Sequence, residues 1–223
     1  MHEAEIRGED VNFTHEHPLY QEVCRRQGIN HGAYWYSVEI CKYFIPTIKT
    51  ERPWVTIGYE NQVYDHSIVF IHSNLNPKIY KYLARADDLI LVCSWPFIMD
   101  EVKQWGKPVF LPMSVDTEYV KQFRREKDRG TCYAGRMEKC TPKLKPQLID
   151  FVSEMPRDEL LAEMARYRNV YAMDRVAIEA KVLGCTVLQY DKRFPDPNFW
   201  QVLDSRDAAG MLQEILDDID GRP

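Results

Sequence analysis

The sequence lacks the simplest signatures of several protein classes. Its six cysteines include no C-x-x-C pair, and no apolar run approaches the roughly 18 residues that cross a bilayer. No G-x-G-x-x-G motif occurs, and no unit of roughly 20–50 residues repeats. These absences argue against a zinc site or disulfide framework, a membrane-spanning protein, a nicotinamide-dependent dehydrogenase and a repeat protein.

The ends and the cysteines indicate a compartment. Residues 1–10 are charged and contain no apolar stretch typical of a secretory signal. Cys41, Cys93 and Cys185 lie in apolar runs, which is typical of buried, reduced thiols. We therefore expect a soluble, cytoplasmic protein.

The composition is that of an ordinary globular chain. The 223 residues are 45% hydrophobic and 28% charged, and the formal net charge is -5. This length allows one large domain or two small ones. The negative balance argues against a protein that coats nucleic acid, although a local basic face remains compatible with it.

Two features would suit contact with a polyanion or a base. Residues 121–145 carry nine basic side chains against three acidic ones, a local excess of six positive charges. This stretch predicts either a solvated helix face or a surface for a diphosphate or a nucleic acid. Near the N-terminus, Tyr34, Trp35 and Tyr36 could stack on a base or a sugar, or could pack in the core.

Apolar strand-like runs alternate with helical patterns along most of the chain. This alternation predicts an α/β fold with parallel strands, built as two small Rossmann-like halves joined near residues 113–130. We expect domains at 1–115 and 116–205 and an acidic terminal helix at 206–223. The predicted strands are 54–57, 67–71, 88–93, 107–111, 131–134, 147–152, 169–172 and 186–190. The predicted helices are one that ends at Ile45 before Pro46, and 77–84, 96–105, 118–129, 156–167, 174–183 and 204–218.

Residues 170–188 are the most informative segment. They predict a strand, a tight turn, a helix that ends at Gly184, and a second strand. The N-terminus of such a helix points its amides beyond the sheet, where phosphate commonly binds. Glu179 lies within this otherwise apolar helix. It could accept hydrogen bonds from ribose hydroxyls, or it could pair with Arg175, Lys181 or another base.

Two further positions follow predicted strands. Gly135 and Arg136 come after the strand at 131–134, with Lys139 and Lys143 close behind. These cations could neutralise a diphosphate, or they could form a solvated basic loop. His72 directly follows the apolar run 67–71. It could act as an acid, a base or a polar clamp, or its role could be purely structural.

Four segments, in this order, carry a resemblance: residues 86–94, 107–120, 133–136 and 177–184. Together they resemble the GT-B glycosyltransferases, in particular the retaining families with a two-glutamate motif in the C-terminal half. The match covers roughly residues 65–190. The short chain is also similar to glycosyltransferase-like proteins of tailed phages.

The resemblance implies an acceptor-side N-terminal half and a nucleotide-sugar-binding C-terminal half that face a cleft. It implies that Arg136, with Lys139 or Lys143, holds the donor diphosphate, and that Gly32 belongs to an N-terminal loop near it. His72 would contact the sugar as the catalytic position, and Glu179 would hold the ribose. The implied nucleoside and sugar site comprises Tyr171, Asp174, Arg175 and Glu179. Tyr171 stands where these families have their first glutamate, eight residues before Glu179.

The implied activity is the transfer of a hexose from a nucleotide sugar, such as UDP-glucose, to a hydroxyl group. A phage origin would make double-stranded DNA with hydroxymethylated pyrimidines an acceptor and the host cytoplasm the location. No metal and no further cofactor are expected, because arginine, lysine and helix N-termini can offset the charge of the leaving diphosphate. The missing first glutamate favours the alternative, a catalytically inactive module that sequesters a nucleotide or a partner.

Overall fold

The fold contains two parallel sheets with helices, as the alternation of patterns predicts. A computed structural model describes residues 32–56, 63–71, 81–135, 149–153, 155–189 and 194–221. Each sheet has four strands, and every strand pair is parallel. The α/β class is therefore confirmed. In the described part of the chain, no helix is long and apolar enough to cross a membrane.

The first unit is built around the sheet order β1-β2-β3-β4. Its described residues fall within 33–112 and 205–221, so the terminal helix belongs to this unit. The two central strands are buried at every position, as expected for strands covered on both faces. The strands are β1 (Trp54–Thr56), β2 (Ile68–Ile71), β3 (Ile90–Cys93) and β4 (Lys107–Phe110). The helices are α1 (Gly32–Glu39), α2 (Ile45–Thr47), α3 (Pro96–Val102) and the terminal helix Ser205–Asp220.

Phe70 of β2 is the centre of an aromatic core in this unit. Trp54 stacks on its ring at 5.7 Å between centroids. Phe44 and Tyr36 meet it edge-on at 5.6 and 6.1 Å. Edge-to-face and stacked pairs of this kind add to the burial of large apolar surface. For Tyr36, the alternative of core packing is therefore the one that the structure shows.

Pro46 does not end the first helix where the sequence predicts. A π-helical turn, Ile40–Phe44, follows α1, and the backbone then continues as α2 through Thr47. In this turn the amide of Ile45 donates to the carbonyl of Ile40, five residues back. A proline has no amide hydrogen to donate and clashes with the carbonyl four residues earlier. The widened turn just before Pro46 accommodates it, so the helix passes the proline.

The second unit has the sheet order β6-β5-β7-β8 and comprises residues 113–204 of the described chain. Its strands are β5 (Arg129–Ala134), β6 (Asp150–Val152), β7 (Tyr167–Tyr171) and β8 (Thr186–Leu188). Its helices are α4 (Thr117–Lys121), α5 (Arg157–Met164) and α6 (Asp174–Val182), so the helix Ser205–Asp220 of the first unit is α7. A 3-10 turn covers Pro197–Phe199.

Two predicted helices in this unit were too long. The charged helix expected over 118–129 ends at Lys121, and residues 124–128 run without regular structure into β5. The helix expected over 156–167 ends at Met164. The reason is pairing, because Arg129 and Tyr167 lie opposite each other in the register of β5 and β7. The free energy of sheet pairing overrides local helix propensity at both ends.

A polar cluster joins the segments that precede three strands of the first sheet. Nδ1 of His66 lies 2.8 Å from Oδ2 of Asp88, and Nη1 of Arg52 donates to the same oxygen at 3.1 Å. The same guanidinium donates to the backbone carbonyls of His66 and Asp88. These bonds, led by the one with His66, lower the pKa of the Asp88 carboxyl below its ordinary value. The cluster therefore fixes where these strands begin.

Replacement of Asp88 by asparagine tests this cluster. Asparagine tolerates the left-handed backbone of this residue, φ 53°, so only the charge is removed. We expect Asp88→Asn to lower the free energy of unfolding at pH 7 by about 0.5–1 kcal/mol, since the carboxylate that pairs with Arg52 and His66 is exposed and screened by solvent. Because the folded pKa is lowered, this contribution is complete above the unfolded pKa of about 4 and is lost as pH falls through the folded value.

Urea denaturation of both proteins at pH 7 and near pH 3 measures the difference. The difference between the wild type and Asp88→Asn should shrink at the lower pH. Asp100→Asn is a matched control, since among the described residues Asp100 pairs only with Lys103, one helix turn away and exposed. A difference that is constant with pH would show that the charge of Asp88 is not what stabilises the cluster.

Candidate anion site at the carboxyl edge of the second sheet

The carboxyl ends of β5 and β7 lie side by side in the second sheet. Tyr133 is opposite Tyr171 in the register, so the turn that begins at Gly135 and the segment after Tyr171 leave the same edge. Gly135 has φ 149°, a backbone conformation that side-chain-bearing residues rarely adopt. Ligands of open α/β sheets bind at this edge. The structure thus places the end of β5, which precedes Gly135 and Arg136 in the sequence, beside the end of β7.

The predicted site residues divide into those that the structure places and those that it does not. His72, Arg136, Lys139 and Lys143 lie outside the described residues. Gly32 begins α1. The remaining four are placed by the end of β7 and by α6: Tyr171, Asp174, Arg175 and Glu179.

The N-terminus of α6 follows β7 after a short turn. Met173 occupies the cap position with an extended backbone and offers no side-chain oxygen to the first amides. Asp174, the first helical residue, has φ 54°, a left-handed conformation that aspartate tolerates better than most residues. Unsatisfied amides and the helix dipole favour an anion at such a terminus. The local geometry is therefore compatible with the phosphate site that the sequence predicts here.

Glu179 is buried between two arginines. Its Oε1 accepts hydrogen bonds from Nη2 of Arg157 at 2.9 Å and from Nε of Arg175 at 2.8 Å. The three side chains are only 4–5% exposed. The ion pair that the sequence offered as an alternative is thus present at Oε1. A carboxylate has roughly four lone-pair positions on two oxygens, so this pairing alone does not exhaust its acceptor capacity.

Lys181 is not a partner of Glu179 in this cluster. Its ammonium instead donates to the carbonyl of Pro197 at 2.6 Å. Partial burial lowers its pKa, and the nearby carboxylate of Asp196 opposes that effect. Of the two bases that the sequence named as possible partners, only Arg175 pairs with Glu179.

Arg157 is the member of this cluster that the sequence analysis missed. It is the first residue of α5, and its guanidinium lies 5.3 Å from the centroid of the Tyr119 ring. The Tyr119 hydroxyl donates to the carboxylate of Asp158. A cation is disfavoured at a helix N-terminus by the dipole. An arginine directly after Pro156, at a predicted helix start, was therefore a signal that a buried acid would compensate it.

The basic stretch binds mainly the protein itself where the structure describes it. Nε of Arg124 donates to the carbonyl of Val182, and Nζ of Lys127 donates to those of Ala165 and Leu183 at 2.6 and 2.8 Å. Arg129 pairs with Glu163 at 2.5 Å. Cations at the C-terminal carbonyls of α5 and α6 satisfy groups that the helices leave unpaired. This part of the stretch is therefore not a simple solvated helix face.

The helix α6 ends in the way the sequence predicts. Gly184 has φ 81°, and its amide donates to Lys181 while that of Cys185 donates to Ala180. A left-handed glycine with these two bonds closes a helix in a Schellman-type motif. The thiol of Cys185, next in the chain, is buried, and burial raises its pKa.

The thiols of the described cysteines are buried. Cys41, Cys93, Cys132 and Cys185 are all buried, which confirms the burial predicted for three of them. Burial raises the pKa of Cys93 to about 12, so its thiolate is scarce at neutral pH. Within the described residues, no group of histidine, cysteine and carboxylate side chains is arranged to hold a metal ion.

Replacement of Glu179 by glutamine tests the charge balance of the cluster. Two buried guanidiniums would lose the carboxylate that both contact, and removal of one partner of a buried pair typically costs about 3–5 kcal/mol. We therefore expect Glu179→Gln to lower the free energy of unfolding by about 3 kcal/mol. Urea denaturation measures it, with Glu214→Gln on the exposed face of α7 as the control. Equal midpoints for the wild type and Glu179→Gln would refute a structural charge balance.

Replacement of Lys127 tests the helix caps. Lys127→Met keeps much of the aliphatic chain and removes the donor shared by α5 and α6. We expect the free energy of unfolding to fall by about 1–2 kcal/mol, as for the loss of hydrogen bonds to a charged group. Lys121→Met removes only an exposed pair with Glu118 and should cost less than about 0.5 kcal/mol. Equal effects of the two substitutions in denaturation experiments would contradict the capping role.

No model of a known protein family matches the chain. No curated protein matches it either.

Proposed function

We propose that the protein is a nucleotide-sugar-dependent glycosyltransferase whose second unit binds the donor. The observation that carries this proposal is the carboxyl edge of the second sheet. There the turn at Gly135 and the start of α6 leave adjacent strands, and Glu179 and Arg175 stand on α6 behind that edge. The order of the sequence segments resembles that of the GT-B enzymes and agrees with this placement.

Each polar group of this edge has a task in the proposed donor site. Arg157 and Arg175 fix one oxygen of Glu179, so the carboxylate has a defined orientation before a ligand arrives. Its other oxygen would accept from a ribose hydroxyl. Arg136, with Lys139 or Lys143, would offset the charge of the diphosphate, together with the N-terminus of α6. His72 would contact the transferred hexose.

A hydroxymethylated pyrimidine in DNA is the proposed acceptor, and the structure narrows how DNA would be contacted. Arg124, Lys127 and Arg129 already bind protein carbonyls and a carboxylate. Contacts with phosphates would therefore come chiefly from those basic residues at 136–145 that do not hold the donor diphosphate. Such contacts would make binding salt-dependent.

A second candidate is a module that binds a nucleotide without catalysis. Tyr171 stands at the end of β7 where the resembled families have a glutamate. In addition, the first oxygen of Glu179 is engaged by both arginines. Both observations leave fewer carboxylate oxygens for a donor sugar. A module of this kind would retain affinity for a nucleoside diphosphate and lack turnover.

Donor binding is the first test. Ligands that bind only the folded state raise the melting temperature by mass action. We expect a selective shift with one nucleotide sugar from a panel that includes UDP-glucose. Calorimetry should show that Arg136→Ala weakens this donor at least about tenfold, the effect of one charge-assisted contact. Arg168→Ala, an exposed arginine on β7, is the matched control and should bind as the wild type does. A wild-type affinity for Arg136→Ala would refute the assignment of the diphosphate site.

Turnover separates the two candidates. The protein is incubated with the selected donor and with double-stranded DNA that carries hydroxymethylated cytosine, in the presence of EDTA. Mass spectrometry then measures the mass of the modified base. A mass increase of one hexose supports the transferase. Binding without transfer or donor hydrolysis supports the module. No shift with any nucleotide or nucleotide sugar contradicts both.

A further inference from the structure

A groove of about 540 Å³ lies beside α5, and its lining includes none of the described residues of the proposed donor site. Three of its polar residues, Arg129, Asp150 and Tyr167, are the first residues of β5, β6 and β7. Tyr171, Asp174, Arg175 and Glu179 of the proposed donor site stand instead at the end of β7 and on α6. The groove is therefore a candidate for a second binding site, distinct from the proposed donor site.

One wall of the groove is apolar. Phe151 and Val152 of β6 contribute one part, and Met155 and Ala162 contribute another. Glu159, Ala162 and Glu163 recur at helical spacing, so one face of α5 borders the groove. Small-molecule sites commonly combine such an apolar wall with a few placed polar groups.

The inner polar groups form a connected network. Nη1 of Arg129 donates to Glu163 at 2.5 Å and to the hydroxyl of Tyr167 at 2.8 Å. That hydroxyl donates in turn to Oδ2 of Asp150 at 2.9 Å. Burial, first of all, raises the pKa of Tyr167 to about 12, so the phenol stays protonated. These groups are fixed by one another before any ligand binds.

The remaining charges at the groove are of opposite sign. Arg125 and Glu159 are both exposed and both line it. Across the described ranges, neither side chain has an ion-pair or hydrogen-bond partner, in contrast to Arg129 and Glu163 beside them. One cation and one anion thus line the groove together with apolar side chains.

We propose that this groove binds a free α-amino acid with an apolar side chain. Arg125 would receive the carboxylate, because a guanidinium matches a carboxylate with two parallel hydrogen bonds. Glu159 would receive the ammonium group. Phe151 and Met155 would contact the side chain. The site is independent of the proposed transferase activity and requires no nucleotide.

Ligand analogues test the recognition of both charged ends. The probes are L-phenylalanine, N-acetyl-L-phenylalanine, which lacks the ammonium, and L-phenylalaninamide, which lacks the carboxylate. Each is titrated into the full chain up to about 10 mM, tenfold above a millimolar dissociation constant, and amide chemical shifts are followed by NMR. We expect saturable shifts with L-phenylalanine at least about tenfold tighter than with either analogue. No saturable shifts, or equal affinity for the three probes, would overturn the proposal.

Two variants test which residue binds the carboxylate of the amino acid and which binds its ammonium group. Arg125→Gln should remove the preference for L-phenylalanine over its amide, and Glu159→Gln should remove the preference over the N-acetyl form. Both residues are exposed, so neither substitution should prevent folding. Arg168→Gln and Glu214→Gln are exposed controls away from the groove and should keep both preferences. Preferences that survive in Arg125→Gln and Glu159→Gln would place the ligand elsewhere and overturn the assignment.

Discussion

The buried carboxylate of Glu179 is the constraint on which the second unit depends. It holds Arg157 in the first turn of α5 and Arg175 in the first turn of α6. These helices follow β6 and β7, so a single charge sets how two strand–helix connections meet. An ion pair of this kind contributes little net stability compared with apolar packing, but the loss of one partner is costly. The ion pair therefore determines how α5 and α6 are placed more than it adds to the free energy of unfolding.

The sequence predicted best those elements that local chemistry determines. The apolar runs at 67–71 and 88–93 became the buried strands β2 and β3, and Gly184 closed α6 in the expected left-handed conformation. The predictions failed where distant residues decide. Arg129 and Tyr167 looked helical in their local context but pair across two strands. One further failure is local, since a π-helical turn lets the backbone pass Pro46.

The same contrast between local and distant determinants applies to the candidate site. Glu179 stood out because it is one acid in an apolar helix, and its pairing with Arg175 at a spacing of four residues was readable. Arg157 lies 22 residues away in sequence, and only the packing of α5 against α6 joins it to Glu179. The nucleotide-sugar activity remains a proposal, since His72, Arg136, Lys139 and Lys143 lie outside the described residues.

The distribution of buried thiols has a practical consequence. Cys93 lies in β3 of the first unit and Cys132 in β5 of the second, and both are fully shielded from solvent. Alkylating reagents reach such thiols only when the surrounding structure opens. The rates at which Cys93 and Cys132 are alkylated, followed peptide by peptide, would therefore time the opening of each sheet separately. The chain thus contains one internal probe of local unfolding in each unit.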